Sequence, residues 1–307
     1  MTRRMGWLCV AMLLGILSSN ELNAQATKKK TPPPFQWVNH PKTLPTGVQH
    51  GVFKSPSMQQ DVGYCIYLPP SYAADTDRRY PVVYYLHGGR PGNENKSVGL
   101  AKTFHEYMAN GAAPEMIYVF VNGGPVSHYN MAERKNAMGE NVFVEELVPF
   151  IDKTYRTVAE RKGRGLEGFS QGGRGTTRIM FKHPDLFCSA APGGSGYATE
   201  KRISEDNGRE NPGLAFAPGD NTWDLARKYA ESKEPPLRIM LHVGTAGFNY
   251  ENNLDYMKFL ESLKIPFEKV VVEGAPHSAQ KIYDKRGLEL VRFHADNFRR
   301  NGALSAE

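Results

Sequence analysis

Cysteine is scarce in this chain, three in 307 residues, and Cys9 lies in the first apolar run, so a disulfide-stapled framework is excluded. Export would permit a bridge between Cys65 and Cys188. Their places on an early and a later expected strand make two separate buried thiols the expectation instead. Long hydrophobic runs are missing too: the apolar stretch Met5 to Leu17 is too short for a membrane span, which needs about 20 apolar residues. Internal repeats, low-complexity breaks, phosphate-binding loops and metal-ligand clusters are all absent, so neither metal nor cofactor is expected. Nor is there a basic stripe, although the chain carries 38 Lys and Arg against 32 Asp and Glu. Taking away Arg3, Arg4 and Glu21 with the leader leaves 36 and 31, and setting aside the tail lysines at 28 to 30 leaves 33 and 31. A near-neutral folded part argues against a nucleic-acid partner.

The start of the chain reads as a secretory signal over residues 1–26: Arg3 and Arg4, the apolar core, then a polar tail ending Asn23-Ala24-Gln25-Ala26, an A-x-A cleavage pattern. The expected product is secreted or periplasmic, with no membrane anchor. Residues 27–45, with three lysines and Pro32-Pro33-Pro34, read as a loosely attached lead-in. Residues 46–307 then read as a single large α/β domain.

Eight strand signals recur along that domain: Val48–Lys54, Val62–Leu68, Pro81–Leu86, Met116–Val121, Arg164–Gly168, Phe187–Ala191, Arg238–Val243 and Phe267–Val272. Helical periodicity fills the gaps near Ser97–Asn110, Glu140–Tyr155, Gly172–His183, Trp223–Glu231, Glu251–Leu263 and Asp284–Arg300. Alternation of this kind predicts an α/β fold with a mostly parallel central sheet and helices on both faces. Ligand sites of such sheets lie beyond the carboxyl ends of the strands.

The stretch Gly168-Phe169-Ser170-Gln171-Gly172 sits between a strand and a helix. Its glycines, two before and two after the serine, suit a sharp strained turn that exposes Ser170 Oγ as a nucleophile. A serine alcohol needs a base. Among nine histidines, His277 is the one on a late Gly/Pro loop, Gly274-Ala275-Pro276-His277, and is expected to be that base. His87-Gly88-Gly89 ends another strand; the N–H groups of Gly89 and Gln171 are the expected oxyanion donors. Ser195, in Gly193-Gly194-Ser195-Gly196, has no following helix by pattern and is discounted.

Tyr67-Leu68-Pro69-Pro70-Ser71-Tyr72, Tyr80-Pro81-Val82-Val83-Tyr84-Tyr85-Leu86-His87-Gly88-Gly89, Glu146-Leu147-Val148-Pro149-Phe150-Ile151-Asp152, the Ser170 turn and the His277 loop together resemble the esterase D-like branch of the α/β-hydrolases. That branch holds feruloyl and acetylxylan esterases of carbohydrate esterase family one, enterochelin esterases, S-formylglutathione hydrolases and mycolyltransferases. The resemblance implies an α/β-hydrolase fold and a Ser-His-acid triad. It also locates a departure. Where the branch commonly has Gly-Thr-x-Asp, this chain has Gly244-Thr245-Ala246-Gly247, so Glu251 is the expected third member, as a mycolyltransferase-like glutamate, with Asp255, Asp220 and Asp224 as spares. Two insert loops, Asn122–Gly139 and Pro192–Asp220, should overhang the turn. His128, Tyr129, Arg134 and Tyr197 on them, Phe216 and Arg174 after the serine are candidate substrate-binding residues.

These signs together lead to an exported serine esterase acting on a small-molecule or oligosaccharide ester, foremost feruloyl or acetyl esters of plant polysaccharide. An enterochelin-type siderophore esterase, an acyltransferase and a degenerate carbohydrate-binding relative stand as alternatives.

Overall fold

The computed structural model describes residues 34–131, 136–205, 209–211 and 214–305. The signal-like leader and Arg134 lie outside them.

All eight expected strands pair in one sheet. In chain order they are β1 (Val48–Ser55), β2 (Gln60–Tyr67), β3 (Val82–Leu86), β4 (Ile117–Val121), β5 (Arg164–Phe169), β6 (Ser189–Gly193), then, after a short hairpin of β7 (Arg209–Asn211) and β8 (Leu214–Ala215), β9 (Arg238–Ala246) and β10 (Glu268–Pro276). The order across the sheet is β1-β2-β4-β3-β5-β6-β9-β10. β1 and β2 run antiparallel to their neighbours and the remaining pairs are parallel.

The central strands are apolar on both faces because both faces are covered. Val82, Tyr84 and Leu86 of β3 enter one core with Ile179, Met180, Trp223, Tyr256 and Leu260. Val83 and Tyr85 enter the other with Phe104, Ile282, Tyr283 and Leu290. On the first face lie α4 (Gln171–Lys182), α6 (Thr222–Ser232) and α7 (Tyr250–Ser262), and on the second α1 (Ala101–Ala109) and α8 (Ala279–Arg300). The segment after the second insert loop's start is not wholly loop: it holds α5 (Tyr197–Glu205) as well as the β7–β8 hairpin. Between β4 and β5, α2 (Gly139–Asn141) leads through a π-helical stretch, Val142–Leu147, into α3 (Val148–Thr154). Cys65 and Cys188 are buried free thiols, pushed up to about 12 and about 11 by burial.

The lead-in requires a correction. From Phe35 onward it belongs to the compact unit: Trp37 is buried in the core, and its carbonyl accepts from Gly63 N at 2.7 Å and Asn122 Nδ2 at 3.1 Å. Asn39 donates from its backbone N (2.6 Å) and Nδ2 (2.9 Å) to the buried carboxyl of Glu94, which also meets His50 Nε2 (3.0 Å) and Asn122 Nδ2 (2.9 Å). Tryptophan and a carboxyl acceptor, not proline content, decide where the fold begins.

One acid is buried inside the sheet face beneath α8. Glu167 on β5 accepts from the Tyr283 hydroxyl, and burial, only partly offset by that bond, pushes its carboxyl up to about 8. A carboxyl that stays protonated in the fold but ionises on unfolding stabilises fully below its unfolded value near 4.5, and loses that contribution as pH rises toward 8. The loss at pH 7 is on the order of 3 kcal/mol. Glu167→Gln should therefore raise Tm by about 5 °C at pH 8 and by much less at pH 5; scanning calorimetry at both values tests it, and equal shifts would contradict it.

Candidate active site

Strand register brings the carboxyl ends of five strands together. Leu86 of β3 stands opposite Gly168 of β5, Phe169 opposite Gly193 of β6, and Ala246 of β9 opposite Pro276 of β10. The residues just beyond these ends are His87-Gly88-Gly89, Ser170, Gly194-Ser195, Gly247-Phe248-Asn249 and His277.

Ser170 is held at φ +61°, ψ −115°, between β5 and α4. Only glycines fit around such a turn: a Cβ on Gly168 would stand 2.6 Å from Gly172 O, and one on Gly172 would stand 1.9 Å from Leu86 O. His277 Nε2 lies 2.9 Å from Ser170 Oγ. The imidazole is half-buried between Phe169 (ring centroids 4.8 Å apart) and Phe248 (4.4 Å), and this burial lowers its pKa from the ordinary histidine value. A neutral imidazole at hydrogen-bond distance from a serine hydroxyl is an arrangement that can take up the hydroxyl proton as the oxygen attacks an electrophilic carbon.

Gly88 touches the serine, since a Cβ there would lie 3.2 Å from Ser170 Cβ, and Gly89 follows at φ +69° on the exposed side. Gln171 is the first residue of α4, so its N–H has no acceptor within the helix. The His87 ring braces this turn: Nε2 accepts from Gly123 N at 3.2 Å, which leaves Nδ1 as the donor to Gly88 O at 3.1 Å. Burial lowers His87 to about 4, so it stays neutral.

The third triad position differs from expectation. Glu251 is exposed on the first turn of α7, and Asp255 is exposed beside Lys258 at 3.9 Å. Asp220 pairs with Lys182 at 2.7 Å, and Asp224 with Arg227 at 2.7 Å. The atom that meets His277 Nδ1, at 3.1 Å, is Oδ1 of Asn249. Asn249 lies two residues past Gly247, and an amide is a near-isostere of a carboxylate. The amide side chain close after Gly247 is the sequence signal for this partner.

The expected substrate-binding residues do not face the serine as a pocket lining. His128 is fully buried, tilted against His87 with ring centroids 4.5 Å apart, and its Nε2 meets His87 O at 3.0 Å. It supports the strand end rather than a ligand. Tyr129 is buried and stacked on Phe216 at 4.2 Å, with the Arg178 guanidinium 4.7 Å above it. Tyr197 is buried on Tyr256 (3.7 Å), its hydroxyl 2.8 Å from Thr177 Oγ1. Arg174 is buried with Nε 3.7 Å from Glu200. Polar and aromatic residues on insert loops were expected to project over the site. Instead those loops pack on each other through a small apolar cluster containing Val126, Tyr129, Ile203 and Phe216, with Arg178 of α4 over the Tyr129 and Phe216 rings. The exposed aromatic beside Ser170 and His277 is Phe248, 84% accessible, which pattern reasoning passed over.

Two cavities of about 500 Å³ open at the other end of the sheet, where Arg238 and Glu268 begin β9 and β10. They are remote from this chemistry. Among the described residues, no cluster of His, Cys, Asp and Glu could hold a metal ion, and no helix is long and apolar enough to cross a membrane.

Residues 55–283 match the Esterase family. The chain belongs to that family. It is 26% identical over 255 residues to Esterase Rv1288 of Mycobacterium tuberculosis, covering 75% of this chain and 53% of the relative. It is 30% identical over 134 residues to the endo-1,4-beta-xylanase/feruloyl esterase of Xylanibacter ruminicola, 40% of this chain and 18% of that one. The chain thus spans about half the length, or less, of these curated relatives. Among solved structures it resembles a ferulic acid esterase at a TM-score of 0.66 and 21% identity, with 81% of this chain and 98% of that one covered. This likeness shows the α/β-hydrolase fold alone, as the motifs imply.

Proposed function

We propose that this protein is an exported serine esterase that hydrolyses carboxylic esters, foremost feruloyl or acetyl esters of plant polysaccharide. The observation that carries this reading is the 2.9 Å contact between Ser170 Oγ and His277 Nε2 at a strained strand-to-helix turn. Ser170 Oγ attacks the ester carbonyl carbon while its proton passes to His277 Nε2. The negative oxygen rests on the N–H groups of Gly89 and Gln171. The C–O bond to the alcohol breaks as His277 returns the proton to the leaving oxygen. Water, deprotonated by the same imidazole, then hydrolyses the acyl-enzyme and regenerates the serine. A binding-only relative has no use for a serine, a base and a glycine-rich turn held in this register. Export rests on the leader-like residues 1–26.

The accessible ring of Phe248 favours an aromatic acyl group over acetyl. Stacking of a planar ring contributes about 0.5–1.5 kcal/mol, roughly two- to tenfold in binding. Phe248→Ala should raise KM for methyl ferulate about fivefold by that measure and change turnover of p-nitrophenyl acetate little. Equal effects on both substrates would remove the support for an aromatic group. A panel of methyl ferulate, acetylated xylan and enterobactin tests the substrate class: preference for the siderophore ester would overturn the polysaccharide reading.

A further inference from the structure

We propose that Asn249 is the positioning residue for His277, and that the reaction centre is an electrically neutral Ser-His-Asn set in which the imidazolium forms without a countercharge. The proposal rests on the serine esterase reading above.

Three observations converge on it. The first is the orientation of the amide. Asn249 is 2% accessible, and its Nδ2 donates to Gly194 O and, at 3.0 Å, to Ser195 O. Reversing the amide would set an oxygen against two carbonyl oxygens, so Oδ1 must be the atom facing His277 Nδ1. An acceptor there fixes the proton on Nδ1 and leaves the Nε2 lone pair toward Ser170, the tautomer that a general base requires.

The second is what Asn249 forgoes. It stands at the N-cap of α7, where an asparagine side chain ordinarily accepts from a first-turn N–H, yet it makes no such bond. A second asparagine holds it in place instead. Asn253 Nδ2 donates to Asn249 O at 2.8 Å and Ser195 O at 2.9 Å, while Asn253 Oδ1 accepts from Ser195 N at 3.0 Å. The Gly193–Gly196 segment, discounted as a second serine motif, is the anchorage for this pair.

The third is Gly247. A Cβ there would lie 3.3 Å from Asn249 Oδ1 and 3.6 Å from His277 N. The position where related chains commonly carry an aspartate therefore still points at this spot, and the amide oxygen occupies it.

Among the described residues, no charge takes the carboxylate's place. β5 and the turn after it present Phe169 and Ser170 to the imidazole, and the loop before α7 presents Phe248 and Asn249. On α7, Glu251 and Asp255 are exposed, as is Glu273 on β10. On α8, Lys281 pairs with Asp284 at 3.1 Å. Lys96 is bonded to Pro91 O at 2.6 Å beside the Gly88–Gly89 turn. Burial is accordingly the cause of the lowered His277 pKa.

The test is the pH dependence of kcat/KM on p-nitrophenyl acetate for the full chain and six variants. Asn249→Ala should lose about 10²-fold in kcat with KM within a few fold, because the imidazole loses its tautomer and orientation. Gly247→Asp, which keeps Asn249 and both its carbonyl contacts, should move the acid limb up by about one pH unit, since an opposite charge within about 4–6 Å favours the imidazolium. Asn249→Asp should move it the same way if it folds. Glu251→Gln should change neither rate nor limb. The double variant Gly247→Asp with Asn249→Ala should recover at least tenfold over Asn249→Ala alone, a rescue that a purely structural role for Asn249 would not produce. An Asn249→Ala enzyme within threefold of the parent, or a limb unmoved in Gly247→Asp, overturns the proposal. Ser170→Ala separates the two levels: if that variant is active the esterase mechanism itself fails, whereas an inactive Ser170→Ala with an indifferent Asn249→Ala rejects only the amide's role.

Discussion

Ser170→Ala is expected to reduce kcat for p-nitrophenyl acetate by on the order of 10⁴ to 10⁶ and to leave the fold unchanged. The loss is large because no other hydroxyl can attack from this position. Ser195, the other serine in a glycine-rich stretch, is fully buried and its backbone is committed to Asn249 and Asn253. Some residual catalysis should remain, since Gly89 and Gln171 still offer N–H groups to a carbonyl oxygen attacked by water. Alanine suits the site sterically: the serine side chain makes no capping bond to α4, and the glycines at 168 and 172 keep the turn open. Initial rates together with circular dichroism decide the matter. Retention of more than a few per cent of kcat by a folded variant would displace the nucleophile from position 170.

His277→Ala should cost on the order of 10³-fold or more, and the parent enzyme should show the base in its pH profile. The imidazole must be neutral to accept the serine proton, so kcat/KM rises with pH through the His277 pKa and levels above it. From sequence alone that limb belongs near 6 to 7, roughly the ordinary histidine range. Burial between Phe169 and Phe248 lowers the pKa, and an uncharged amide acceptor offsets this far less than a carboxylate would. The limb should therefore lie below about 6.5, and the enzyme should stay active at mildly acidic pH. A limb at or above 7 would indicate an acidic partner that the arrangement around Asn249 does not provide.

The sheet was legible because its physics is local. Val82-Val83-Tyr84-Tyr85-Leu86 is apolar without interruption, as a strand covered on both sides must be, and Gly168 and Gly172 announce a turn that tolerates no Cβ. His277 was recoverable because a histidine on a Gly/Pro loop after the last strand has few other uses. The third member was harder. Charge is the usual signature of that position, and Glu251 lies on the right helix but its side chain projects to solvent, while Asn249 works through shape and hydrogen-bond polarity alone. His128, Tyr129, Arg174 and Tyr197 misled for a related reason: whether a polar or aromatic side chain on an insert points at a ligand or into a neighbouring loop is set by tertiary packing, which no periodicity encodes. The tilted His87–His128 pair, the Tyr129–Phe216 stack and the Arg174–Glu200 contact all bridge segments far apart in sequence.

The Glu94 carboxyl group has a bearing on how the protein tolerates trimming by proteases. It receives two of its four hydrogen bonds from Asn39, and Asn95, one residue on, donates to Asn39 O at 2.6 Å. The amino-terminal arm therefore works as a buttress for the loop that follows the Gly88–Gly89 turn. Cutting ahead of Phe35 leaves the buttress whole. A cut after Asn39 strips a buried acid of half its donors, at a cost of several kcal/mol, and loosens the segment leading from the oxyanion turn before any strand is touched.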